Sequence, residues 1–180
     1  MAEPGYGVAI ANGSTYGHDV SRTVRPEDQG TTTRVRLSLL RAPKFPDPEA
    51  DLGQHELVVT IRPGASIADA VDEGYRVNLP LRTVQGAEPV EPLFAVFNDA
   101  LTIEAVKLAA DGSGDVIVRL YESLGERSTG LIRADFPVQG VSVVNLLEEP
   151  VEEPTGVLIG NDSAELTLRP LQLITLRFQR

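Results

Sequence analysis

Short apolar runs with a period of two, cut every few residues by glycine or proline, constrain this chain more than any other feature. Thr33-Arg34-Val35-Arg36-Leu37-Ser38-Leu39-Leu40-Arg41 sets Val35, Leu37 and Leu39 on one face and Arg34 and Arg36 on the other. Glu56-Leu57-Val58-Val59-Thr60-Ile61-Arg62 reads as a strand stopped by Pro63-Gly64. Leu93–Phe97 and Leu101–Val106 flank Asn98-Asp99-Ala100, which predicts a hairpin. Asp115–Tyr121 puts Val116, Val118 and Leu120 inward. Thr129–Phe136, Val141–Leu147, Ala164–Leu168 and Leu173–Phe178 continue the pattern. The 16 glycines and 13 prolines supply the punctuation. One segment reads as helix: Ser66 caps Ile67–Glu73, and Gly74 is its expected stop. About ten strands and one short helix predict an all-β fold of antiparallel β-sandwiches.

The expected boundary is the aperiodic polar stretch over residues 84–91. Residues 92–180 then read as a complete small β-sandwich. Residues 1–83 offer about three strands and a long loop, fewer than a domain needs alone. Either they pack onto the second part or they belong to a larger sheet.

Composition removes whole classes of function. No cysteine is present, which excludes disulfides and thiolate chemistry and suits a reducing, cytoplasmic setting. A net charge of −10 argues against nucleic acid, whose phosphates call for a basic footprint. No apolar run approaches a membrane span, and MAEPGYG lacks the charge and apolar core of a signal peptide. The acids cluster at Asp47–Asp51 and Glu148–Glu153, where a solvated acidic bend is expected.

Chemistry-bearing motifs are scarce. Gly112-Ser113-Gly114 is a turn and not a phosphate loop. Two histidines, His18 and His55, lack metal-ligand spacing. Glycosidases need two facing carboxylates, and nothing in the spacing of the 26 acids selects a pair. Glu122 follows a strand end, where a sheet-edge hydrogen bond or surface pair is expected. The distinctive stretches are NGSTYGHDV (Asn12–Val20) and the run Leu40–Glu56, whose Pro43, Pro46 and Pro48 enforce an extended loop.

Four stretches carry a resemblance: GYGVAIANGSTYGHDV, VRLSLLRAPKFPDPEADLGQHE, VRLYESLGERSTGLIRADFP and LTLRPLQLITLRF. In this order they resemble the C-terminal region of glycoside hydrolase family 38 α-mannosidases, in the branch with cytosolic and bacterial members. The likeness runs from about Gly5 to Phe178. It implies that residues 1–83 end a large sandwich similar to galactose mutarotase, that 84–91 link, and that 92–180 form the terminal sandwich. It also implies that the nucleophile, the acid/base carboxylate and a divalent metal, zinc by the family's pattern, belong to a catalytic domain in the same or a separate chain. No cofactor is expected in this chain. By the same resemblance, Tyr16, His18 and Asp19 would face a mannose-containing carbohydrate or the catalytic domain. The rival expectation is a free-standing carbohydrate-binding or scaffold sandwich. The absence of tryptophan argues against a strong lectin. Uncovered sheet edges make a homo-oligomer possible.

Overall fold

The computed structural model describes residues 1–3, 5–86, 88–152 and 155–180; Pro4, Ala87, Glu153, Pro154 and the Ala2 side chain lie outside the description. Ala87 of the expected link and Glu153 of the acidic run are therefore among the undescribed residues. The chain forms two compact units, Met1–Arg82 and Thr83–Arg180.

The first unit contains β1 (Ala2–Glu3), β2 (Tyr6–Asn12), β3 (His18–Val24), β4 (Thr31–Leu37), β5 (Val59–Pro63) and α1 (Ile67–Asn78). Strands β1, β2 and β5 form one antiparallel sheet, and β3 with β4 forms a separate ribbon. Alternation along β2 buries Gly7, Ala9 and Ala11 and leaves Val8, Ile10 and Asn12 half-buried. The small residues accommodate α1, which packs on β2 and β5. Arg62, opposite Ala9, confirms that face by pairing with Asp69 of the helix at 2.6 Å. A Cβ on Gly7 would collide with the Ala65 carbonyl, so backbone approaches backbone there.

The expected Ser66 cap forms a reciprocal box. Ser66 Oγ accepts from the Asp69 N–H at 3.1 Å, and Asp69 Oδ2 accepts from the Ser66 N–H at 2.9 Å. The expected stop does not hold. The helix passes through Gly74 to Asn78, and Leu79 is extended before Pro80. Proline ends this helix by restricting the residue before it.

The second unit contains β6 (Phe94–Phe97), β7 (Leu101–Leu108), β8 (Val116–Glu122), β9 (Ser128–Ala134), β10 (Gly140–Val144), β11 (Val157–Ile159), β12 (Ser163–Leu168) and β13 (Leu173–Gln179). Two four-stranded antiparallel sheets result, ordered β10-β13-β8-β7 and β11-β12-β9-β6. Val116, Val118 and Leu120 point inward as expected, against Ile132, Leu166, Leu168, Leu176 and Phe178. Phe94 meets Phe136 and Phe178 edge-on, with ring centroids 5.4 and 4.8 Å apart.

The expected hairpin at residues 98–100 is instead a crossing between the sheets. Strand β6 pairs with β9, and β7 pairs with β8. Asn98 makes the corner with φ +157°, donating from Nδ2 to the Thr129 carbonyl at 2.8 Å and accepting the Ala100 N–H on Oδ1 at 2.8 Å.

Packing separates the two units. Among the described residues of the first, the buried ones are Gly7, Ala9, Ala11 and Ala65, none larger than alanine. The second buries nine leucine, isoleucine, valine, glutamate and phenylalanine side chains almost completely.

Candidate functional site

The stretch singled out in the sequence is a turn feeding the exposed ribbon. The Asn12 side chain bonds the Thr15 carbonyl and hydroxyl, closing the turn. The Asn12 carbonyl accepts from Asn78 Nδ2 of α1 at 3.1 Å. The Gly17 carbonyl accepts from the Ser38 N–H at 2.8 Å, where a Cβ on Gly17 would stand 2.8 Å from Ser38 Cβ. A strand then begins at His18, where the sequence reading foresaw none.

Three side chains leave this segment in three directions. Tyr16 stands at the turn, 96% exposed. His18 lines a hollow of about 240 Å³ between β2 and the ribbon, with Val8, Ile10, Asn12, Val35 and Leu37. Asp19 belongs to the opposite ribbon face, because neighbours along a strand alternate. There it accepts from Arg36 at 2.6 and 2.9 Å, its cross-strand partner. The hollow joins an apolar floor to an imidazole, an amide and a hydroxyl, which suits a small ligand with both C–H and hydroxyl faces. Arg36, Arg34 and Ser21 share the Asp19 face. Sequence reasoning missed these partners because it left His18–Val24 unpaired; the strand register alone reveals them.

The residues do not fit a metal centre. His18 and Asp19 diverge, and His55 Nε2 is already within 3.0 Å of the Asp51 carbonyl. Among the described residues no group of three or more His, Asp or Glu side chains could hold an ion. Nor is any described helix long and apolar enough to cross a membrane.

Acids are held below the usual carboxylate range in both units: Asp28 by Arg25 and the Gly30 N–H, Asp69 by the N–H and hydroxyl of Ser66, and, in the second unit, Glu122 and Asp115. Glu122, expected at a sheet edge or surface pair, is instead fully buried. It accepts the N–H groups of Leu124 and Gly125 at 2.9 Å and of Leu171 at 3.0 Å. Burial pushes its carboxyl up; the N–H groups of Leu171, Leu124, Glu126 and Gly125 outweigh that and hold it below the usual range. Asp115 is also held low, by the Arg180 N–H against the effect of burial and with help from Arg177. Arg177 Nε and Nη2 reach Asp115 and Asp111, each at 2.7 Å. These groups tie turns together. Each acid is occupied by protein donors.

The sheet architecture of the second unit agrees with the family comparison. The model for the glycosyl hydrolases family 38 C-terminal domain matches residues 1–49, and that for the family's C-terminal beta sandwich domain matches residues 100–176. The chain belongs to the C-terminal region of glycosyl hydrolase family 38. Alpha-mannosidase 2C1 of Homo sapiens is 32% identical over 186 residues, covering 98% of this chain and 17% of its own length. Alpha-mannosidase G of Dictyostelium discoideum is 27% identical, covering 99% of this chain and 16% of its own. An alpha-mannosidase of Saccharomyces cerevisiae is 27% identical across 81% of this chain and 14% of its own. The chain thus spans about one-sixth of the length of the curated relatives it matches.

Proposed function

We propose that this chain is the non-catalytic, sheet-built C-terminal portion of an α-mannosidase that removes terminal α-mannosides with retention. The observation that carries this is the match of nearly the whole chain to a small share of alpha-mannosidases. The bond-breaking carboxylates and a divalent metal, zinc in this reading, then belong to a catalytic domain in the same or a separate chain. Residues 1–83 supply the last part of a large mutarotase-like sandwich, 84–91 a link, and 92–180 the terminal sandwich. Support for the first assignment is physical: the outward face of β5 leaves Val59 and Ile61 uncovered, and nothing larger than alanine is buried nearby. Strands from the remainder of the enzyme would cover it.

In the assembled enzyme Tyr16 and His18 border the sugar site or the catalytic domain, and Asp19 with Arg36 holds the ribbon straight beside them. Absence of cysteine accords with a cytoplasmic enzyme. Separated from the catalytic part, the open β5 edge pairs with a second copy.

The test is complementation. Human alpha-mannosidase 2C1 lacking its matching segment is co-expressed with this chain and assayed on a chromogenic α-mannoside. Activity should appear with the pair and be absent from either part. Enzyme-like turnover by the chain alone overturns the reading. So does a saturating calorimetric titration of the chain alone with mannose, which identifies a binding module.

A further inference from the structure

Residues 145–149 fold back over the outer face of the β10-β13-β8-β7 sheet as a strap. The Leu146 carbonyl accepts from Arg119 Nη2 on β8 at 3.0 Å. Glu148 reaches β7, where it pairs with Lys107 and accepts the Ala110 N–H at 2.7 Å. Asn145 knots the turn, its Oδ1 accepting the N–H groups of Leu147 and Glu149 at 2.9 and 3.0 Å. The same sheet carries a buried cluster of Ala109, Ile117 and Val144. Glu148 sits at φ +69°, a conformation that a non-glycine residue keeps only when its surroundings impose it.

What this restrained strap offers to solvent is apolar. Leu146 and Leu147 are 60% and 78% exposed. Beside them lies a hollow of about 490 Å³, walled by Leu146, Val151, Leu173, Ile174 and Glu152. Fixed leucines next to an apolar hollow make a docking surface. Charge decides what docks. Glu149 in the strap and Glu152 in the wall are exposed, and among the described residues no lysine or arginine lines the hollow. A second copy would press these acids against their own equivalents.

We propose that this face binds a protein segment bearing leucine-type side chains flanked by lysine or arginine. The inference stands apart from the catalytic reading above. A labelled peptide of Lys-Leu-Leu repeats is titrated with the full chain and followed by fluorescence anisotropy. Matched peptides carry Ser for Leu, or Glu for Lys. Saturable binding is expected for the first peptide alone, weakened about tenfold by the double variant Leu146→Ser, Leu147→Ser. The double variant Glu149→Lys, Glu152→Lys should turn the preference to the Glu-bearing peptide. The distant pair Asp162→Lys, Glu165→Lys, exposed at β12 on the other sheet of the same sandwich, changes net charge equally and should leave binding intact. Three results overturn the proposal: no saturable binding of the first peptide, equal binding of the Ser-bearing peptide, or equal loss in the distant variant. A dimer in sedimentation that dissolves on Leu147→Ser also overturns it, in favour of self-docking.

Discussion

A carboxylate that accepts several backbone N–H groups has no neutral substitute of equal capacity. Glutamine offers one acceptor oxygen where Glu122 offers two, and its amide would face N–H groups in a dry site. Glu122→Gln should cost about 2 kcal/mol, since buried donors lose their partner. Glu104→Gln, an exposed change on β7, should move stability by under about 0.5 kcal/mol. Urea unfolding of both variants checks this. The pH dependence has a definite sign. The folded Glu122 carboxyl lies below its unfolded value of about 4.3, so its contribution is present above that pH and fades as pH falls through the depressed folded value. Thermal melts from neutral to acid pH should therefore fall less steeply for Glu122→Gln than for the unaltered chain. Some acid sensitivity should remain, because Asp111, Asp115 and Glu148 are held low too. Glu122 continues the inward parity of Val116, Val118 and Leu120, but parity alone does not show which donors await. Tyr16 is the reverse case. Tyr16→Ala should leave the chain's unfolding midpoint in place, while the complemented enzyme shows a raised KM for the chromogenic mannoside.

Elements were legible where the pattern was local and illegible where pairing decided. Val116, Val118 and Leu120 declare the inner face of β8 by alternation alone. Ser66 and Asp69 declare the helix start through their spacing. Asn98-Asp99-Ala100 declares a turn, yet a hairpin and a sheet-to-sheet crossing use the same turn residues. Pairing chooses between them: β6 takes the remote β9, while β7 takes β8, the next strand along the chain. Strand β3 was hidden because only Val20 and Val24 of its residues are apolar and every residue but Ser21 is exposed, which leaves little alternation to read. Gly130 bears directly on the crossing. A Cβ there would stand 2.5 Å from Leu101 Cδ1, 2.9 Å from Asn98 Cβ and 3.0 Å from the Phe97 carbonyl. Gly130→Ala should destabilise by about 1–3 kcal/mol, read as an earlier thermal transition, whereas Gly86→Ala, which meets nothing within 4 Å, should not.

Across the whole molecule, the first half holds five strands where the sequence showed about three, yet among its described residues it buries nothing larger than alanine. The candidate site was legible only as a stretch: Asn12–Val20 stood out, but the opposed directions of His18 and Asp19 required the strand that periodicity missed. Limited proteolysis should cut residues 1–82 first and leave a resistant fragment close to Thr83–Arg180. The tight core of the second unit then sets what a denaturant sees. Because the slope of unfolding free energy against urea follows the surface newly wetted, this 180-residue chain should melt with the steepness of a protein of roughly a hundred residues, the first unit adding almost nothing to the transition until its covering strands are restored.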